Sequence, residues 1–480
     1  MKKLRIALVG AVGAALVVTS SAAAFTPTNA YYAKQWYLSQ DNAFDAWASP
    51  PSLDPVKVAI VDSGVDCSLP DFSGQIAKVK SFVGGSACMD NQGHGTIVAG
   101  EIAGALDQAG VVGLAYMSQL LVAKVVANDG TIPLKAEAAG IRWAVHQGAK
   151  VVNLSFGAVR DPQAPALDSF SKAEAKAVAY AVRKGAVVVA AVGNSDEAYT
   201  TPWPYASWPA ALPHVVGVGA LTRSGNVPDF SDQDPIFVDV AAPGVGIFST
   251  FPKSLTAAQP DCPAQGYTDC ATGDYRKPEG TSFAAPQVAA AAAVLFGVDP
   301  SLTSSQVTRI LERHTDDVDA ASGCDQCPTG RDKYSGWGSL DVTRAVDFLS
   351  SGNALPASDR FEPDDSISQA HKLWGNRPAF DATLDFWDDP SDVYRVKLLP
   401  GQRLQARAVA HWSNATVALT LWRPGATSLH TPAGRVAGAA HPGATQRLSY
   451  RAPRGGWYIV ELRIARHGGG RYALQLTKRR

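Results

Sequence analysis

The feature of this 480-residue chain that most constrains its fold is a series of short, uninterrupted apolar runs between residues 54 and 349. The runs are rich in β-branched residues and do not alternate with polar ones, which is typical of strands buried on both faces of a parallel sheet. Five strands are predicted, at residues 56–61, 120–126, 151–154, 187–192 and 215–218. Between them, two helical stretches end at glycines that suit helix C-caps, at 132–147 and 170–184. The pattern predicts a doubly wound, mostly parallel α/β sheet of about 300 residues.

After residue 355 the pattern changes to short segments in which apolar and polar residues alternate, separated by glycine and proline clusters. Such alternation is typical of antiparallel strands with one solvated face. The sequence therefore predicts a smaller all-β sandwich at 359–480, a polar linker at 351–358, and an α/β domain at 31–350.

Charge gives no reason to expect nucleic acid as a partner, because 43 basic and 43 acidic residues leave a formal net charge of zero. The charges are unevenly distributed, however. Beyond Gly401 the chain has 13 Lys or Arg residues and one acid, Glu461. This excess indicates either a solvated face or a surface that binds an anionic polymer or a cell surface.

The N-terminus is typical of a secretory signal peptide. Three basic residues, Lys2, Lys3 and Arg5, precede an apolar run at 6–18 and a small-residue stretch that ends at Ala24. The alternative is an anchoring helix, but the run is shorter than the ~20 residues that a span needs. We therefore predict a signal peptide at 1–24 and a bacterial protein that is extracellular or periplasmic. No later segment is expected to be long and apolar enough to span a membrane.

Six cysteines follow the predicted signal, and an even number in a secreted chain indicates disulfides. Sequence proximity favours three pairs, Cys67–Cys88, Cys262–Cys270 and Cys324–Cys327. The last pair is a C-x-x-C, which in a cytosolic protein indicates a redox or zinc site. No second C-x-x-C is present to complete a zinc site, so a short structural loop is preferred.

Four polar residues stand where strand ends and a helix N-terminus would meet. Asp62 follows the first strand directly, and Asn194 follows the strand at 187–192. His94 has a glycine on each side, and Ser282 separates a glycine turn from an alanine-rich helical run. Each residue alone has an ordinary structural explanation, as a loop acid, turn amide, surface histidine or helix cap. Because sheets of this type carry their active sites at the carboxyl ends of the strands, the four together favour a catalytic site.

The segments around these residues resemble those of the subtilisin-like serine peptidases, the subtilases. The matching motifs are VAIVDSGVD around Asp62, GHGTIVAG around His94, VVNLSFGA at 151–158, AAVGN ending at Asn194, and EGTSFAAPQVAA around Ser282. Their order is Asp, His, amide, Ser, whereas α/β-hydrolases have the order Ser, Asp, His. The resemblance extends over residues 31–349 and implies a subtilisin-like fold.

The resemblance implies a role for each residue. Ser282 would attack the peptide carbonyl, and His94 would accept its proton and later protonate the leaving amine. Asp62 would hold the imidazole in its productive tautomer. Asn194 and the backbone N–H of Ser282 would donate hydrogen bonds to the oxyanion.

The resemblance also implies a substrate-binding cleft for proteins or peptides. Its residues would be Ser155, Phe156, Gly157, Ala191 and Val192, the first three forming an edge that pairs with the substrate backbone. Nearby, Asp196 and Glu197 either face water or favour a basic side chain. The preferred cleavage site stays open.

Structural calcium is common in the family, although its chemistry requires no cofactor. The loop at 105–110 lies where a calcium loop often occurs, and Asp107 is its one acid. Ca²⁺ takes about 6–8 oxygen ligands, so a loop with one acid does not decide whether calcium binds here. Asp107 is the candidate ligand.

The tail resembles the pre-peptidase C-terminal domain of secreted bacterial peptidases, through FEPDDSISQA at 361–370 and GGWYIVELR at 455–463. In relatives such a module is either removed or kept for attachment to a substrate or a cell surface. At the other end, only residues 25–53 separate the predicted signal from the first strand, so no N-terminal pro-domain is expected.

We therefore expect a monomeric, secreted serine endopeptidase. The alternative is a catalytically silent protein of the same fold that serves in binding or adhesion. The presence of Asp62, His94, Asn194 and Ser282 argues against that alternative, because a silent relative usually lacks at least one of them.

Overall fold

The computed structural model describes residues 24–195, 198–258, 268–270, 275–352, 359–362, 364–385, 389–412, 415–427, 429, 434–464 and 469–480. Four predicted features therefore lie largely or wholly outside the described residues: the signal peptide, the linker, the acids Asp196 and Glu197, and the Cys262–Cys270 pair.

A seven-stranded sheet forms the centre of the N-terminal part. Its strands are β1 (Lys57–Asp62), β2 (Ile76–Ser81), β3 (Gln119–Lys124), β4 (Val151–Leu154), β5 (Val187–Ala191), β6 (Val215–Leu221) and β7 (Val240–Pro243). They lie in the order β2-β3-β1-β4-β5-β6-β7, and all neighbours are parallel. The predicted doubly wound α/β sheet is confirmed, and the strand order reverses at β1.

Helices cover both faces of this sheet. They are α1 (Trp36–Gln40), α2 (His94–Ala103), α3 (Leu134–His146), α4 (Lys172–Arg183), α5 (Lys253–Ala258), α6 (Thr281–Val298), α7 (Ser304–Arg313) and α8 (Val342–Ser350). Apolar residues of α3 and α4 share one core with one face of the sheet, and those of α2, α6, α7 and α8 share the other. This layering buries the strands on both sides, as their unbroken apolar runs predict.

The central helix α6 is apolar on all sides and almost completely buried. Its run of small alanine side chains allows close packing against the sheet and neighbouring helices. By length and composition it is the one described helix apolar enough to cross a membrane, and 89% of that window is buried inside the fold. The expectation that no later segment has the length and composition of a span is therefore wrong for α6, because an alanine-rich core helix has the same composition.

The remaining strands form three sheets. Strands β8 (Ser249–Thr250), β9 (Thr268–Cys270) and β10 (Tyr275–Pro278) make a small sheet. The C-terminal strands are β11 (His371–Leu373), β12 (Ala379–Asp385), β13 (Ser391–Leu398), β14 (Arg403–Ala410), β15 (Val417–Trp422), β16 (Arg435–Ala439), β17 (Thr445–Arg451), β18 (Gly456–Ile464) and β19 (Gly469–Arg479). Their sheets have the orders β11-β13-β18-β15-β16 and β12-β19-β14-β17 and enclose a separate apolar core. The C-terminal region is thus built mostly of β-sheets, as predicted.

Two disulfides lie within the described residues. They join Cys67 to Cys88 and Cys324 to Cys327, the pairs that sequence proximity favours. The C-x-x-C segment therefore forms a short closed loop.

Candidate active site

Asp62 and His94 meet at the carboxyl edge of the sheet. Asp62 is the last residue of β1 and is only 2% exposed, whereas His94 is the first residue of α2. The His94 Nδ1 atom lies 2.9 Å from Asp62 Oδ1 and 3.0 Å from Asp62 Oδ2. The Ser63 backbone N–H also donates to Asp62 Oδ1 at 2.7 Å, which holds the carboxylate in place. A histidine whose Nδ1–H is bonded to a carboxylate presents Nε2 as the base.

The glycines on both sides of His94 have a steric function. Gly93 has a φ of +88°, a left-handed conformation that most residues avoid. A Cβ atom on Gly95 would lie 2.1 Å from the carbonyl oxygen of Gly64. The close approach between the start of α2 and the end of β1 therefore depends on glycine, and it brings the imidazole against the carboxylate.

Burial and the neighbouring charges shift the pKa of the His94 imidazole in opposite directions. Burial lowers the pKa of His94, whereas the charge and hydrogen bond of Asp62 and the charge of Asp90 raise it. The outcome is a pKa above the ordinary histidine value. The carboxylate therefore makes His94 a stronger base than an isolated imidazole.

Ser282 and Asn194 lie at the same edge of the sheet. Ser282 is half-buried in the first turn of α6, and the ring of the next residue, Phe283, contacts that of His94 with centroids 5.1 Å apart. Asn194 follows β5, and its Oδ1 accepts hydrogen bonds from the backbone N–H of Thr281 at 2.8 Å and from its hydroxyl at 2.9 Å. With Oδ1 so occupied, the NH₂ group is the part of the Asn194 amide that is left to donate a hydrogen bond.

Asn194 and Ser282 line one cavity of about 140 Å³. Of the predicted substrate-binding residues, Phe156, Gly157 and Ala191 also line it. Two others do not. Ser155 is 1% exposed and accepts a hydrogen bond from Asn153, and Val192 packs in the core shared with α3 and α4.

The cavity also contains polar residues that sequence reasoning missed, namely Ser195, Ser207 and Asp232. Asp232 is 2% exposed and belongs to a segment between β6 and β7 with no strand of its own. The only signal in the sequence was an acid two residues after an aromatic residue, in DFSD, which does not distinguish it from an ordinary loop acid.

The chain is similar to known proteins over more than half of its length. Residues 54–338 match the model of the Subtilase family, more than half of the chain. The chain belongs to the subtilase family. Membership makes this subtilase a serine endopeptidase.

Several characterised proteins are similar to this subtilase. Thermitase of Thermoactinomyces vulgaris is 31% identical over 327 residues, which are 68% of this chain and 100% of thermitase. The thermophilic serine proteinase of Bacillus sp. (strain AK1) is 31% identical over 68% of this chain and 70% of its own. A protease structure from Pseudoalteromonas arctica PAMC 21717 superposes with a TM-score of 0.54 at 24% identity, covering 67% of this chain and 99% of that one. This last likeness supports the fold alone.

The subtilase has several oxygen atoms at the loop of Asp107, where the sequence leaves a calcium site open. Asp107 is exposed there, and its Oδ1 accepts a hydrogen bond from the backbone N–H of Ala109 at 3.0 Å. Beside it, the side chain of Asn29 is buried, and three carbonyl oxygens lie 2.5–3.0 Å from its Nδ2, those of Ala105, Ala109 and Val111. An NH₂ group has only two hydrogens to donate, and the Oδ1 of Asn29 has no hydrogen-bond partner within the described residues. Converging carbonyls beside an unsatisfied amide oxygen fit the ligand preference of Ca²⁺.

Proposed function

We propose that this subtilase is a secreted endopeptidase that cleaves proteins through Asp62, His94 and Ser282 and an acyl-enzyme intermediate. The observation that carries the proposal is the Asp62–His94 hydrogen bond of 2.9 Å, which faces the helix turn that bears Ser282. The experiment is digestion of unfolded casein followed by mass spectrometry. Internal cleavage is the expected result, and release of terminal residues alone, or no cleavage, contradicts it.

The chemistry follows from these groups. The Ser282 Oγ attacks the carbonyl carbon of the substrate while His94 Nε2 takes its proton. Negative charge develops on the carbonyl oxygen, and the Asn194 NH₂ group and the Ser282 N–H stabilise it. The imidazolium, stabilised by Asp62, then protonates the leaving amine. A water molecule repeats the sequence and releases the acyl group from Ser282.

Thr281 acts on this chemistry as a positioning residue. Its hydroxyl donates to Asn194 Oδ1 at 2.9 Å and accepts from the Gly193 N–H at 3.2 Å. We expect Thr281→Val to lower kcat about tenfold with little change in KM, because the Asn194 amide loses one of its two orienting bonds. The matched control is Thr281→Ser, which keeps the hydroxyl and should keep kcat. Equal kcat values for the valine and serine variants would contradict this role.

Secretion and substrate class belong to the same proposal. The basic and apolar N-terminus and the disulfides support export, and similar proteins include a thermophilic serine proteinase. We propose a monomer that acts on proteins or peptides outside the cytoplasm and does not bind nucleic acid. The C-terminal sandwich, with its excess of arginine, is proposed to attach to the substrate or to a cell surface.

We also propose that Asp107, the Asn29 amide and the three loop carbonyls hold a structural Ca²⁺ ion, which would cross-link the N-terminal segment to the loop. Removal of Ca²⁺ with EDTA is expected to lower the thermal midpoint by about 5–10 °C, because a tightly bound ion stabilises only the folded state. Asp107→Ala should reduce this shift, whereas Asp129→Ala, in another exposed loop, should not. If Asp107→Ala and the wild type lose the same number of degrees, calcium does not bind this loop.

A further inference from the structure

One sheet of the C-terminal sandwich has a row of exposed arginines on its outer face. The residues are Arg403 and Arg407 on β14, Arg447 and Arg451 on β17, and Arg471 and Arg479 on β19. They alternate along their strands with residues that pack in the sandwich core, so all of them lie on the same side of the sheet. Together they form the arginine face.

The strand register of the arginine face sets like charges directly opposite one another. Arg403 lies opposite Arg451 on one side and Arg479 on the other, and Arg407 lies opposite Arg447. Side chains at such cross-strand positions are close neighbours, and like charges there destabilise a sheet. A bound anion between the guanidinium groups would replace this repulsion with attraction.

Carboxylates of the sandwich do little to balance these charges. Glu461, the one acid beyond Gly401, is buried and accepts a hydrogen bond from the Trp422 indole at 2.8 Å. On the edge strand β12, Asp385 is also buried, and Asp381 is exposed but lies opposite an alanine of β19. In the described part of the chain, the arginines that pair with carboxylates are others, namely Arg160, Arg309, Arg313, Arg331 and Arg344.

The first row of the arginine face lies far from the catalytic part. Asp385, which pairs with Arg313 of α7 at 2.5 Å, lies opposite Gly469 at the start of β19. Arg479 is at the other end of the same strand, about 30 Å away at the usual rise per residue. A polymer bound along this row would therefore leave the active-site cavity open to substrate.

We propose that the arginine face binds an acidic polysaccharide; this rests on the attachment role proposed for the sandwich. A guanidinium group binds a carboxylate or sulfate through two parallel hydrogen bonds. Between the arginines, the face presents Gln405, Ser449, Gln475 and Thr477, whose amides and hydroxyls can bond to sugar hydroxyls.

Other anionic partners fit the arginine face less well. Its outward residues on β14, β17 and β19 include no aromatic side chain on which the bases of a single-stranded nucleic acid could stack. They also include no leucine, phenylalanine or tryptophan that would enter a membrane surface.

The test is calorimetric titration with polygalacturonate at low salt, in the Ser282→Ala background to prevent self-digestion. Arg403→Gln combined with Arg451→Gln should weaken binding about tenfold, because two charged contacts are lost. The matched control is Arg423→Gln combined with Arg463→Gln, which removes two exposed arginines elsewhere on the sandwich and should bind as the parent does. Unchanged affinity in the first variant, or an equal loss in the control, would overturn the proposal.

Two further ligands separate this proposal from its alternatives. Poly-L-glutamate of equal charge should bind more weakly than polygalacturonate, and equally tight binding would overturn recognition of a polysaccharide. Co-sedimentation with insoluble casein tests the broader attachment role. Binding to casein but not to polygalacturonate would overturn the polysaccharide alone, whereas binding to neither would overturn both.

An independent observation concerns a buried hydrogen bond between the two helices that bear the catalytic residues. Glu101 of α2 and Gln287 of α6 are both 0% exposed, and Gln287 Nε2 donates to Glu101 Oε2 at 3.1 Å. The same nitrogen lies 2.7 Å from the carbonyl oxygen of Pro243, at the end of β7. Burial first, and then the charge of Asp41, raises the pKa of Glu101 well above its ordinary value, so the carboxyl is held as a neutral acid.

We infer that Glu101 is a positioning residue for the proposed reaction, on which this inference rests. His94 is the first residue of α2, and Ser282 lies in the first turn of α6. The Glu101–Gln287 hydrogen bond therefore fixes the helix of the base against the helix of the nucleophile. A small shift between them would misplace the imidazole relative to the hydroxyl.

Glu101→Leu is expected to lower kcat about tenfold with KM nearly unchanged, because the cleft stays intact while the catalytic groups shift. Glu101→Gln keeps a neutral hydrogen-bonding group of the same size and should restore kcat. The matched control is Glu137→Leu, a buried acid of α3 on the other face of the sheet, which should keep kcat.

The measurement is steady-state cleavage of a fluorogenic peptide. Equal kcat values for Glu101→Leu and the wild type, or a Glu101→Gln variant as slow as Glu101→Leu, would overturn the inference. If Glu101→Leu does not fold, Gln287→Leu serves in its place with the same expectation. No cleavage by the wild type would instead count against the proposed function.

Discussion

Ser282→Ala is expected to lower kcat for peptide hydrolysis by about 10⁶-fold, the size of effect found when a subtilisin loses its serine. The physical reason is that no other group can form the acyl-enzyme bond. Stability should change by less than about 0.5 kcal/mol, because the helix α6 has no side-chain cap bond to lose. The measurement is cleavage of a fluorogenic peptide, together with a thermal melt.

The control for this variant is Ser254→Ala, which removes an exposed hydroxyl and should leave kcat unchanged. Residual activity of the Ser282→Ala protein near that of the wild type would assign the nucleophile to another residue.

Asp62→Asn is expected to lower kcat by about 10⁴-fold, the effect known for the equivalent change in a serine protease triad. An amide in place of the carboxylate can donate to Nδ1 and hold His94 in the wrong tautomer. The backbone should not move, because Ser63 N–H can still donate to the amide oxygen. Steady-state kinetics on the purified variant checks this, with the exposed Asp45→Asn as control.

The Asp62→Asn variant should also change the pH dependence of kcat/KM. His94 must be neutral to accept a proton, so kcat/KM falls as the pH drops through the pKa of His94. Because Asp62 raises that pKa, the wild type should lose activity at a pH above the ordinary histidine value of about 6.5, and Asp62→Asn should lose it at a lower pH. A midpoint that rises or stays fixed in the variant would contradict the assigned electrostatics.

Much of the sheet could be predicted from sequence, because strands buried on two faces have unbroken apolar runs. Strand β4 has the predicted bounds, and β1, β3 and β5 differ from theirs by one or two residues. The two strands that were missed lack that signal. Strand β2 lies at the edge of the sheet, where lysines face solvent, and β7 is only four residues long and ends in proline.

The residues of the candidate site could be predicted only where a reactive side chain stands out from its local sequence. Asp62 ends a buried strand and His94 lies between glycines, so both stand out. Asp232 enters the cavity from a segment without regular structure, and Asn29 reaches the loop of Asp107 across 76 residues of sequence. Val192 continues an apolar strand, and sequence alone did not indicate which side of the sheet its side chain takes. Contacts of this kind depend on tertiary packing.

A group of five carboxylates in the C-terminal β-sheets illustrates the same limit. Glu362, Asp364 and Asp365 belong to a motif that was singled out for family resemblance, but their partners Asp389 and Asp392 are more than 20 residues away. Only the pairing of this motif with the start of β13 brings the five carboxylates together. The Val393 N–H, which donates to the Asp364 carbonyl at 2.9 Å, is one of the bonds that does so.

Ser282 is proposed to be a nucleophile that His94 activates. The most direct measurement is reaction of the folded protein with a fluorophosphonate, followed by intact-mass analysis and peptide mapping. We predict one adduct per chain, located on Ser282, and a much slower reaction in His94→Ala. Absence of an adduct on well-folded protein, or an adduct on another serine, would contradict the claim and favour a silent binding protein.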